Sequence, residues 1–101
     1  MDDAVKITKK FVNYLKEVGI PVEKTLVFGS HAKGTSNLYS DIDVCVVSSV
    51  FGKDNYDETV DLRKKALKID DRLEPVAFSS EDLNDPYSTL ASEIRKFGIV
   101  V

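Results

Sequence analysis

Residues 25–47 read TLVFGSHAKGTSNLYSDIDVCVV, and this stretch decides the fold. Thr25-Leu26-Val27-Phe28 is short, apolar and β-prone, and it runs straight into Gly29-Ser30, so a buried strand should end in a tight turn. From Gly29 to Ser40, two glycines and four serine or threonine hydroxyls exclude a continuous apolar face. That composition predicts a loop with one short helical turn at most. Asp41-Ile42-Asp43 alternates and then passes into the apolar run Val44-Cys45-Val46-Val47. The pattern predicts a central strand, exposed where it begins and covered on both faces beyond that point.

Outward from this stretch, helices and strands alternate. On the N-terminal side, Val5, Phe11, Val12, Leu15 and Val18, with Ile7 beside them, recur at helical steps until Gly19 and Pro21 stop the pattern. On the C-terminal side, Val60, Leu62, Ala66, Leu67 and Ile69 among charged residues predict an amphipathic helix over about 56–68. Leu73 to Phe78 is the third strand, and Pro75 withdraws a backbone donor, which places that strand at an edge or leaves the position unpaired. Asp85-Pro86 reads as an N-cap and first helical residue before the stripe Leu90, Ala91, Ile94 and Phe97, which Gly98 ends. The apolar tail Ile99-Val100-Val101 should dock, on this chain or on a partner.

A length of 101 residues corresponds to one domain and is too short for two independent cores, so residues 1–101 are expected to form a single domain. A second catalytic lobe would have to come from elsewhere. Seventeen acidic residues against fourteen Lys and Arg give a formal charge of −3, which argues against a broad nucleic-acid-binding surface. No apolar run approaches the roughly 20 residues of a membrane span, and the N-terminus lacks a secretory pattern, so a cytoplasmic address is expected. The single cysteine, Cys45, excludes an internal disulfide framework and reads as a small core residue.

The chemistry concentrates in three elements. Residues i and i+2 of a strand share a face about 6.5–7 Å apart, so Asp41 and Asp43 can aim their carboxylates at one spot while Ile42 enters the core. Two convergent carboxylates repel unless a cation joins them, and Mg²⁺ is a hard cation that favours oxygen ligands. Gly29 lets a phosphate approach the backbone, and the Ser30 hydroxyl with free N–H groups can hold its oxygens. His31 and Lys33 are placed to neutralise a triphosphate tail, and Ser40 adds another hydroxyl. Glu74, in the third strand, is the candidate third carboxylate of a two-metal site, ahead of Asp70 and Asp71 in the preceding turn. Tyr39 is the best placed of the four tyrosines to stack on a base. Asp61, Arg63, Lys64, Lys65 and Lys68 read as a solvated helix face with local ion pairs.

Gly29-Ser30, ten residues, then Asp41-Ile42-Asp43, with Ala32-Lys33-Gly34 and Ser40 nearby, resembles the signature of minimal nucleotidyltransferases of the DNA polymerase β-like superfamily. The resemblance covers most of the chain. It implies an α/β (α+β) fold, a small mixed sheet with helices packed on it, and two Mg²⁺ ions. It further implies transfer of a nucleoside monophosphate, AMP from ATP, to a hydroxyl. Many such proteins are antitoxins that adenylylate a tyrosine of a helical HEPN-type toxin, bind it, or both. On this resemblance Asp41, Asp43 and Glu74 are metal ligands and catalytic residues, while Gly29, Ser30, Lys33 and Ser40 bind nucleotide phosphate. Glu74 stands where the family more often has aspartate, and His31 where it often has arginine. The alternative is a catalytically weak or inert antitoxin that neutralises its partner by stoichiometric binding. With no second lobe, specificity is expected to come from the partner or from a homo-oligomer. Modification of a small hydroxylated molecule ranks last, because it needs an additional acceptor domain.

Overall fold

The computed structural model describes residues 2–35 and 40–101. Helix α1 (Asp2–Glu17) buries Ala4, Ile7, Thr8, Phe11 and Leu15, the steps of three and four that one helical face requires. Val5 and Val12 flank this stripe half-buried, and Val18 lies beyond the helix end and is exposed. The buried face is therefore rotated from the expected valines toward Ala4 and Thr8.

The remaining elements are β1 (Lys24–Phe28), α2 (Ser30–Lys33), β2 (Ile42–Val47), α3 (Asn55–Ala66), β3 (Leu73–Phe78), α4 (Ser80–Leu83), α5 (Thr89–Phe97) and β4 (Ile99–Val100). The sheet order is β3-β2-β1-β4. β1 is antiparallel to both β2 and β4, and β2 is parallel to β3, so the sheet is mixed as expected. A parallel pair requires a crossover, which α3 supplies. Pro75 lies in β3 at the edge of the sheet, where a missing donor costs least.

Strand alternation divides the core into two layers. Val27, Ile42, Val44, Val46, Leu73 and Ala77 pack with Phe11 and Leu15 of α1 and Leu62 and Ala66 of α3. Leu26, Phe28, Cys45, Val47 and Phe78 pack on the opposite face with Leu83 of α4 and Ala91 and Ile94 of α5. Fully burying one such large aliphatic or aromatic side chain contributes about 1.5–3 kcal/mol, against about 0–1 kcal/mol for an exposed ion pair. The core, rather than surface charge, fixes where the site residues stand.

The C-terminal third differs from the sequence expectation. Helix α5 begins at Thr89, capped by the Ser88 hydroxyl, which accepts from Ala91 N at 3.0 Å. Asp85 instead accepts from Tyr87 N at 2.9 Å, so Asp85-Pro86 forms a turn and does not start the helix. Helix α4 was not anticipated. It is held by a capping box in which Ser79 accepts from Asp82 N and Asp82 accepts from Ser79 N. The tail does dock: Val101 N donates to Thr25 O at 3.0 Å and Thr25 Oγ1 donates to Val101 O at 2.9 Å. Among the described residues, no helix is long and apolar enough to cross a membrane.

Candidate active site

Strand direction gathers the site at one end of the sheet. Because β1 runs against β2, its last residue, Phe28, stands in register with Asp43 near the start of β2. Because β3 runs along β2, its start lies there too, and Glu74 stands in register with Asp43. Asp41 lies two residues before Asp43, and the intervening Ile42 is fully buried in the α1/α3 layer. Asp43 therefore projects toward the opposite layer, the one covered by α4 and α5.

Gly29 closes the turn after β1 with φ +69°, and a Cβ there would overlap Oδ2 of Asp43. A glycine at this point satisfies both the backbone conformation and the close approach to the carboxylate. Burial pushes the Asp43 carboxyl above the usual carboxylate range, and the negative charges of Asp41, Glu74 and Glu93 push in the same direction, while His31 opposes them. Like charge accumulates around one half-buried carboxylate.

That donor set fits a hard divalent cation such as Mg²⁺, which takes carboxylate oxygens and retains waters. Gly29 packs closely against the Asp43 carboxylate, where a side chain at that position would overlap its oxygen. Asp41 and Asp43 would hold such an ion, and Glu74 is the next carboxylate in register. As the side chains stand, no group of three His, Cys, Asp or Glu among the described residues is arranged to hold a metal. Glu74 Oε2 pairs with Arg63 Nη2 of α3 at 3.1 Å.

The loop residues separate into two roles. His31 is buried, and its Nε2 donates to the Ser40 carbonyl at 3.3 Å, so it ties α2 to the residue before Asp41 instead of facing solvent to meet phosphate. His31 Nδ1 has no hydrogen-bond partner among the described residues. Lys33, at the end of α2, is exposed, with Nζ 2.7 Å from Glu93 Oε1 and 5.0 Å from the centre of the Phe97 ring. Ser30 begins α2, and Lys33 N donates back to Gly29 O at 3.1 Å.

Two site neighbours escaped the sequence reading. Arg63 lies on the solvated face expected of it, where Lys65 also pairs with Asp61, but in addition it reaches across to Glu74, and Glu93 carries no signal of its own in the sequence. No local pattern marks either residue, because their proximity depends on which helix covers which end of the sheet. Asp70 sits in the turn before β3, bonded to Arg72, and does not join the group. Cys45 is fully buried, and burial pushes its thiol up to about 12, in keeping with a core role. Tyr56 and Tyr87 are exposed, Tyr14 faces the Lys68 ammonium at 5.9 Å, and Tyr39 lies outside the described residues.

The profile of the nucleotidyltransferase domain family matches residues 8–96. Among solved structures, a toxin–antitoxin with AMP-PNP is 26% identical, with a TM-score of 0.65 over 91% of this chain and 69% of that one. A candidate nucleotidyltransferase from Sulfolobus solfataricus is 18% identical, with a TM-score of 0.71 over 97% of this chain and 78% of that one. A mutant of the toxin–antitoxin MntA–HpeT is 21% identical, with a TM-score of 0.63 over 91% of this chain and 69% of that one. No curated protein matches the chain.

Proposed function

Because the chain belongs to the nucleotidyltransferase domain family, we propose that it is an antitoxin that transfers AMP from ATP to a hydroxyl, a tyrosine of a helical HEPN-type toxin. The observation that carries this reading is the register of Asp43 with Glu74, together with Gly29 packed against the Asp43 carboxylate. Similarity to a toxin–antitoxin with AMP-PNP supports the nucleotide and the kind of partner.

In this reading Asp41, Asp43 and Glu74 hold two Mg²⁺ ions. When bound, the ions supply activation of the acceptor hydroxyl and stabilisation of the leaving pyrophosphate. Gly29 leaves the backbone open to a phosphate, and the Ser30 hydroxyl donates to its oxygens. Ser40 adds a second hydroxyl, and the Lys33 ammonium answers the charge of the triphosphate. Residues 1–101 act as a single cytoplasmic domain, and the acceptor surface comes from the partner or from a second copy of the chain.

A second reading, neutralisation by binding alone, draws support from the pairing of Glu74 with Arg63. One experiment separates the two. The toxin is incubated with this protein, ATP and Mg²⁺ and its mass is measured, with the D41N/D43N variant as control. A gain of one or more adenylyl groups, lost with the variant, supports transfer. A stable complex of unchanged mass supports binding alone.

A further inference from the structure

Lys33 is the only site cation on the phosphate loop itself among the described residues that faces solvent, and α5 holds it by two contacts. Its ammonium pairs with Glu93 at 2.7 Å and lies over the Phe97 ring at 5.0 Å. Glu93 and Phe97 are four residues apart on one helix and so share a face. Ala91 and Ile94, on another face of α5, pack against the sheet and so fix where Glu93 and Phe97 stand, and Arg95 Nη1 ties α5 to Leu83 O at 2.6 Å.

We propose that Glu93 is a resting-state latch for Lys33, occupying the ammonium until the phosphates of a nucleoside triphosphate displace it. This rests on the reading of the Gly29–Ser30 loop as a phosphate site. Both side chains of the pair are partly exposed, 41% for Lys33 and 38% for Glu93, so water screens the attraction and the pair breaks readily. A triphosphate carries more charge than one carboxylate, and the ammonium, a point charge on a flexible stem, can turn to it without moving the backbone. Release of Lys33 also removes the cation from Phe97, so nucleotide occupancy changes the surface of α5. Glu93 is thus a positioning residue that acts on nucleotide through Lys33.

The test is side-chain NMR of the Glu93 carboxyl carbon and the Lys33 ammonium during titration with Mg²⁺ and AMP-PNP, in the wild type, E93Q and K33M. The latch requires the Glu93 signal to move on saturation to the position it already holds in nucleotide-free K33M, where nucleotide moves it no further. It also requires E93Q to tighten nucleotide binding by about two- to five-fold, the scale of one exposed ion pair. A Glu93 signal that stays paired at saturation, or binding by E93Q that is equal or weaker, overturns the latch. Absence of nucleotide binding by the wild type overturns the phosphate-site reading and the latch with it, and is distinct from binding without release.

Discussion

Gly29 and Asp43 lie so close that a methyl group on residue 29 would overlap the Oδ2 atom of residue 43. The turn that ends one strand is therefore shaped against a carboxylate of the next, and loop conformation and acidic cluster form one unit.

Gly29→Ala should damage both. The backbone at φ +69° and ψ −147° belongs to a region that only glycine enters at low cost, and a non-glycine residue there costs about 1–3 kcal/mol before the overlap with Asp43 is counted. Urea denaturation should show that loss, and calorimetric Mg²⁺-nucleotide titration should show weakened binding. Full stability and full binding in the variant would contradict the packing.

Arg63→Gln should free Glu74. The pair is partly exposed on both sides, so thermal stability should change little, within the range of about 0–1 kcal/mol. If Glu74 is the third metal ligand, the Mg²⁺ concentration for half-maximal nucleotide binding should fall about two- to five-fold. An unchanged Mg²⁺ requirement would remove Glu74 from the ligand set.

Asp70 gives a pH dependence of stability. Hydrogen bonds from the Arg72 side chain hold its carboxyl below the ordinary range, against a smaller opposing effect of burial. As pH falls, the unfolded chain therefore takes up the proton first, and the stabilisation is present above the ordinary value of about 3.9 and lost as pH drops through the folded-state value. Asp70→Asn should lower the melting temperature by a few degrees near neutrality, and the difference from the wild type should vanish in acid. A constant difference across thermal melts from pH 2 to 7 would rule out the pairing as its source.

Cys45 should resist alkylation in the folded state. Its thiol is pushed up to about 12 by burial, so thiolate is scarce at pH 8 and the sulfur is inaccessible. Labelling followed by mass spectrometry should therefore track unfolding. Cys45→Ser should cost about 1–3 kcal/mol, the penalty for burying an unpartnered hydroxyl.

Much of this was legible locally. The strand preceding Gly29-Ser30, the Asp41-Ile42-Asp43 entry to β2, the edge position of Pro75 and the docking of the tail all follow from short-range pattern. The start of α5 was misplaced because Asp85-Pro86 and Ser88 both carry helix-start chemistry, and only the packing of Ala91 and Ile94 selects between them. Helix α4 carried a readable signal, Ser79 followed at the third residue by Asp82, but four residues give no periodicity to support it.

The sequence by itself determined most of the elements, with α4 and the start of α5 excepted, the alternation that divides their side chains between two layers, and the candidate acidic and phosphate-facing residues, because each depends on neighbours within one strand or turn. Tertiary structure decided the partners. The parallel pairing of β3 with β2 set Glu74 beside Asp43, α3 brought Arg63 to Glu74, and α5 brought Glu93 to Lys33. Those contacts join residues 11 to 60 positions apart, a separation at which no local periodicity survives and only burial of the two core layers fixes who meets whom.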